Sequence, residues 1–251
     1  KELEINRVEI CRHCSGDCNE PGTSISTCNT CQGKGQVRRV QRSLFGQFAQ
    51  VTPCPTCQGK GKTFDKPCSN CKAVGNIPDD FEILFMQGGA TLQFAMLAMN
   101  FLGTDQIANY INTGVWTSKA IKEAKKTGNV HVAFDGADTN FDYCPSQSEL
   151  DLAPNASYLH YCSNNTIYGT QSHTPLTSDS PVICDMSSEM FSRNIEWKKY
   201  SMVYAGAQKN LGPSGTVLVV IHKDMLERCP DSLPLMLNYE VHAEKGSCLN
   251  T

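Results

Sequence analysis

Eight of the fourteen cysteines in this 251-residue chain form four C-x-x-C pairs before residue 72, and that pattern limits what its front can become. The pairs are Cys11/Cys14, Cys28/Cys31, Cys54/Cys57 and Cys68/Cys71; the middle two continue as Gln-Gly-Lys-Gly. Two thiols so spaced chelate one metal readily but strain a disulfide framework. Residues 1–76 are rich in Gly, Thr and Gln and poor in apolar side chains, so they bury too little surface to offset chain entropy without a cross-link or a metal. Eight thiolates make two tetrahedral zinc sites with Zn–S bonds of about 2.3 Å. A closed four-sulfur shell leaves no position for water, which makes the role structural and couples metal binding to folding. The glycines that follow permit positive φ, turning backbone NH groups toward sulfur. Redox pairs of the thioredoxin kind are disfavoured, because four successive copies lie outside any βαβ context.

The formal net charge of −3 and a pI near 6.1 give no bulk attraction to nucleic acid or to an anionic membrane. Basic residues outnumber acidic ones over 1–76, and the balance reverses afterwards. No signal-like opening occurs, nor any apolar run of the ~18 residues that a spanning helix needs. The expectation is a soluble protein of a reducing compartment, the cytoplasm or an organelle stroma. The opening at Lys1 without methionine points to an excerpt or a processed product. Cys144, Cys162, Cys184, Cys229 and Cys248 stand in apolar stretches and are expected to be core thiols.

From about residue 77 the texture becomes α/β. Short apolar runs at 83–86, 158–162, 182–184, 202–204 and 217–221 are buried-strand signals, and 91–99 and 118–126 have helical character. The alternation predicts a mostly parallel, helix-covered sheet. Two domains are expected, 1–76 and 77–251.

Within the second, Lys209 lies among small residues in Ala205-Gly206-Ala207-Gln208-Lys209-Asn210-Leu211-Gly212. A lysine that binds a carbonyl cofactor covalently needs such room, although a lysine in a glycine-rich loop is commonly just a surface residue. Asp185 closes the run Val182-Ile183-Cys184, at a strand end where α/β sheets take ligands, and fits the acid that pyridoxal phosphate requires on its ring nitrogen. The bland alternative is a helix N-cap. Gly88-Gly89-Ala90-Thr91 opens a helix whose free NH groups and dipole receive phosphate. Trp116 offers a ring face for stacking, though an isolated tryptophan is more often core; Thr166 falls just after the strand 158–162, where turn chemistry also explains it.

The front repeat resembles the cysteine-rich domain of the DnaJ (Hsp40) chaperones over roughly 1–77. That resemblance implies that Cys11, Cys14, Cys68 and Cys71 hold one zinc, that Cys28, Cys31, Cys54 and Cys57 hold the other, and that the arm binds unfolded polypeptide. Two departures are Cys18 in a glycine position, a competing ligand, and Ala73 in another; no J domain is present. From about 81 to 251 the chain resembles the phosphoserine aminotransferases, fold-type I pyridoxal-phosphate enzymes. The closest stretches are Met86-Gln87-Gly88-Gly89-Ala90-Thr91-Leu92-Gln93-Phe94, Asp185-Met186-Ser187-Ser188 and Tyr204-Ala205-Gly206-Ala207-Gln208-Lys209-Asn210.

This second resemblance implies cytoplasmic amino transfer from glutamate to 3-phosphohydroxypyruvate in serine biosynthesis. Lys209 and Asp185 become the catalytic pair. Trp116 and Thr166 contact the cofactor ring, and Gly89, Ala90 and Gln208 its phosphate. Asn250 and Thr251 reach the phosphate of the partner subunit in a homodimer. Asn165 stands where Glu is usual, and Asn194 where Pro is usual. Segments that orient the substrate would precede residue 81 and follow residue 251, so an incomplete enzyme is expected. One rival is a zinc-dependent protein-binding module with inert aminotransferase cargo; another is an artificially joined sequence.

Overall fold

In the computed structural model the described residues are 22–43, 46–53, 61–64, 77–212 and 214–249. They belong to two compact units, one within Arg7–Asn76 and the other made mainly by Ile77–Thr251. Cys11, Cys14, Cys18, Cys54, Cys57, Cys68, Cys71, Asn250 and Thr251 lie outside the described residues.

The front unit is built from strands alone among its described residues. Strand β1 (Ile25–Thr27) pairs antiparallel with β4 (Lys62–Phe64), and β2 (Gln36–Ser43) pairs antiparallel with β3 (Gly46–Pro53). Just past β1 the Cys28 NH donates to Gly61 O at 2.9 Å. Cys28 and Cys31 are buried, and the Gly35 NH points at Cys31 Sγ, 3.3 Å away. Gly33 and Gly61 both have positive φ, and a β-carbon on Gly61 would collide with Gly33 O, so only glycine lets the two loops approach this closely.

The larger unit is a seven-stranded mixed sheet. Its strands are β5 (Phe81–Met86), β6 (Ile107–Asn112), β7 (Asn129–Asp135), β8 (Leu159–Cys162), β11 (Val182–Asp185), β12 (Met202–Gly206) and β13 (Val217–His222), in the spatial order β5-β13-β12-β11-β8-β6-β7. A two-residue ribbon, β9 (Asn164–Asn165) with β10 (Thr170–Gln171), stands apart from it. Pairings from β12 to β7 are parallel; those of β13 with β12 and with β5 are antiparallel.

One face is covered by helix. In α1 (Gly89–Phe101) the side chains of Phe94, Leu97, Ala98 and Phe101 recur at helical spacing and are all buried against the sheet, joined by Ala120, Ile121 and Ala124 of α2 (Val115–Ala124) and by Tyr239 of α4 (Tyr239–Glu244). Burying one such aromatic contributes roughly 1.5–3 kcal/mol. Helix α1 ends as Leu102 turns extended. The other face differs from the expected helical cover. It carries Leu176, Met186, Met190, Trp197 and Tyr200 from turns and short 3-10 segments, whereas the one-turn α3 (Lys223–Leu226) after β13 adds Met225 and Leu226 to the helix-covered face.

Three further differences from the sequence reading stand out. Strands β6 and β7 were not among the expected strands; in β6 the apolar run is interrupted by buried Asn109, whose amide exchanges hydrogen bonds with Ala153 N and O at 3.0 Å. Helix α2 begins at Val115 rather than at 118. Of the scattered cysteines, Cys162, Cys184 and Cys229 are buried, but Cys144 is half-buried and Cys248 is exposed, beyond the last helical turn. Edge strand β5 leaves Ile83 and Phe85 exposed on either side of buried Leu84. Among the described residues no helix is long and apolar enough to cross a membrane.

Candidate active site

The registers bring the C-terminal ends of β6, β8, β11 and β12 to one edge of the sheet, and β5 ends there too, since β13 is antiparallel to both β5 and β12. Strand order reverses between β6 and β8, the kind of switch point at which open α/β sheets take ligands. Every candidate from residue 89 to residue 209 lies at one of these ends or in the segment that follows it.

Lys209 follows β12 in an exposed turn. Its Nζ donates to Thr166 Oγ1 at 3.3 Å and sits 4.8 Å from the centroid of the Trp116 ring. Trp116 is fixed by the start of α2. Thr117 Oγ1 accepts from the NH groups of Thr113 (3.0 Å) and Gly114 (3.1 Å) and donates to Asn112 Oδ1 (3.0 Å). Asn112 in turn donates to Asp135 Oδ1 at 2.8 Å. The indole Nε1 and Thr113 Oγ1 are buried polar atoms with no hydrogen-bond partner among the described residues.

Thr166 lies in the turn between β9 and β10 and is exposed. Its neighbour Asn165 is buried and donates to Thr113 O at 2.9 Å, bridging the loops after β6 and β8 across the switch point. The amide occupies the space that a β-carbon on Gly114 would need, and Gly114 has φ +153.

Asp185 is 3 % exposed at the end of β11. No helix follows it, so the N-cap alternative gives way to a tight turn in which Oδ1 accepts from Ser187 N (2.9 Å) and Ser187 Oγ (2.6 Å). Burial raises the carboxyl above the usual carboxylate range, while the Ser187 hydrogen bonds and the Lys209 charge pull it back. At the end of β5, Gly88 and Gly89 take φ of 87 and 65, and nothing lies within 4 Å of a β-carbon built on Gly89. The first NH groups of α1 have no carbonyl four residues back inside the helix and face this edge. Gln208 is exposed, its amide folded against Gly206.

Beneath the site lies a polar but uncharged layer. His160 Nε2 is 2.8 Å from Tyr204 Oη, Tyr110 and Tyr158 share a 2.8 Å hydroxyl contact, and burial pushes His160 down to about 3. Three contributors escaped the sequence reading. Lys119 sets its ammonium 4.7 Å from the Trp116 centroid, one helical turn along. Asn165 stands out in the sequence only as a departure from a family pattern. Ser187, two residues after an aspartate, carried a legible turn signal.

An open mixed sheet of this order is the fold of the fold-type I aminotransferases, and its strand ends here gather a lysine, an acid and an aromatic ring. The chain belongs to the aminotransferase class-V family, whose family model matches residues 62–240. Within that family it is similar to the phosphoserine aminotransferase of Halalkalibacterium halodurans, 51% identical over 177 residues that make up 70% of this chain and 49% of that protein. Of solved structures, the phosphoserine aminotransferase of Bacillus circulans subsp. alkalophilus superposes with a TM-score of 0.67 at 46% identity, over 69% of this chain and 48% of that one. The PLP-bound phosphoserine aminotransferase of Trichomonas vaginalis gives 0.66 at 34% identity, over 72% and 51%. The chain thus spans about half the length of the curated relatives it matches. A second family model, the DnaJ central domain, matches residues 11–75.

Proposed function

We propose that residues 77–251 form the pyridoxal-phosphate-binding domain of a phosphoserine aminotransferase, transferring an amino group between glutamate and 3-phosphohydroxypyruvate. The observation that carries this reading is the meeting of Lys209, Thr166 and Trp116 at strand ends, with Asp185 near enough for the Lys209 charge to act on it. The residues fit the cofactor. Open space over Gly89, the free NH groups of Gly89 and Ala90, and the Gln208 amide suit a phosphate, and the Trp116 face suits a planar ring.

When bound, pyridoxal phosphate supplies an electron sink for charge developing at the substrate α-carbon. Lys209 would be the residue that holds the cofactor, and its amine would move the proton at the substrate α-carbon as base and then acid. Asp185 would hold its buried carboxylate toward the ring nitrogen, and Thr166 Oγ1 accepts a hydrogen bond from the ammonium of Lys209. Asn250 and Thr251 serve the partner subunit's phosphate in a homodimer. The test is a visible absorption band on adding pyridoxal phosphate to the full chain, followed by borohydride reduction and peptide mapping. Label on Lys209, lost in Lys209→Ala, supports the assignment; label persisting in the variant rejects it.

For residues 1–76 we propose a DnaJ-type arm with two structural zincs, the inner one held by Cys28, Cys31, Cys54 and Cys57 and the outer by Cys11, Cys14, Cys68 and Cys71. Support comes from buried Cys28 and Cys31, from the Gly35 NH aimed at sulfur, and from the bond joining Cys28 to Gly61, four residues after Cys57. Its ligand class is unfolded polypeptide.

A further inference from the structure

The seam between β11 and β12 does not end with its last main-chain bond. Their ladder pairs Asp185 with Tyr204, and Met186 N then donates to Tyr204 O at 2.8 Å. One step further a side chain takes over. Ser187 Oγ donates to Asp185 Oδ1 at 2.6 Å and accepts from the Gly206 NH at 2.9 Å. Ser187 is 6 % exposed and Asp185 3 %, so both bonds are made away from bulk water. Gly206 is the last residue of β12, three positions before Lys209.

We propose that Ser187 is a positioning residue that locks the Asp185 carboxylate and the Lys209 loop into one rigid unit. This rests on the reading of Asp185 and Lys209 given above, but the clamp is a property of the protein without its cofactor. A single hydroxyl serves both groups. As donor it fixes the rotamer of the carboxylate, and as acceptor it satisfies an NH that would otherwise be buried without a partner at the point where the loop departs. A charge-assisted bond to a buried carboxylate is among the stronger hydrogen bonds available, and its loss leaves Oδ1 with one backbone NH.

The clamp makes a sequence-local pair, Asp185 and Ser187, control a residue 24 positions away from the acid in the chain. Ser187→Ala removes both bonds. Ser187→Thr keeps the hydroxyl, and Ser187→Cys keeps the volume with a weak donor. The full chain without cofactor, carrying carboxyl-labelled aspartate, is titrated by NMR, and exchange of the Gly206 amide is followed on the same samples. In Ser187→Ala the Asp185 carboxyl should titrate at higher pH than in the parent, with Gly206 exchanging on the order of tenfold faster. Ser187→Thr should restore both. Where Ser187→Ala does not fold, Ser187→Cys gives the same two readings. An unchanged Asp185 titration with unchanged Gly206 exchange in a folded variant overturns the proposal.

The two readings fail separately. If Lys209 takes up no cofactor while Ser187→Ala still alters the Asp185 titration and the Gly206 exchange, the functional reading falls and the clamp stands. With cofactor loaded, the pH midpoint of the visible band should move in Ser187→Ala and return in Ser187→Thr, which mere loss of stability would not produce.

Discussion

At the scale of single residues the site depends on groups that no chemical motif announces. Gly114 admits the Asn165 amide where any β-carbon would collide, and its backbone sits where side chains are strained. Gly114→Ala should therefore destabilise the protein by about 2 kcal/mol or more and lower its melting temperature by roughly 4–8 °C, with a change in Trp116 emission. Calorimetry and fluorescence measure both. His160 gives a pH signature. Burial depresses it from 6.5 to about 3, so as pH falls the unfolded chain takes up this proton first. Its contribution to stability is whole above about pH 6.5 and is lost progressively down to about pH 3, with a slope of ~1.4 kcal/mol per pH unit. Urea unfolding between pH 7 and pH 4 should show that slope in the parent and lose it in His160→Gln.

At the scale of elements, the start of α2 is the part most exposed to a single substitution. Thr117 Oγ1, at the third helical position, accepts from the NH groups of Thr113 and of the N-cap Gly114 and donates to the Asn112 amide, the back-reaching half of a capping box. Thr117→Val keeps the shape and removes the bonds; it should cost about 1–3 kcal/mol and weaken cofactor retention, whereas Thr117→Ser should behave nearly as the parent. Equilibrium unfolding and cofactor dissociation test the pair. Strands β11, β12 and β13 were legible because almost every position is apolar and buried, and the turn before α1 was legible in its paired glycines. Strand β6 was not. Its Asn109 and Tyr110 are polar residues satisfied by partners distant in sequence, Ala153 and Tyr158, and only the folded chain reveals those partners. The acid and the lysine were legible as types at strand ends. Their coupling through Ser187 was not, because a β-sheet register decides which backbone NH a serine meets.

At the scale of the whole molecule, the front unit carries the clearest dependence on conditions. With two zincs bound the basic stretch Arg38, Arg39 and Arg42 in β2 should resist trypsin, and a strong chelator should open it to cleavage while two equivalents of zinc per chain appear in the released metal. Cleavage indifferent to chelation would reject the metal assignment. The sheet of the larger unit has a different consequence. Strand β5, the first of its strands in the chain, pairs among the described residues with β13, the last, and with no other strand. During synthesis, then, residues 81–86 leave the ribosome with no partner and wait for residues 217–222, holding out Ile83 and Phe85 along with the side chains that will later be buried. Closing so long a loop is slow, and an apolar strand left waiting attracts other chains. Nascent chains stalled before residue 217 should keep β5 open to protease and bind a chaperone strongly, and chains stalled once residue 222 has cleared the exit tunnel should do neither.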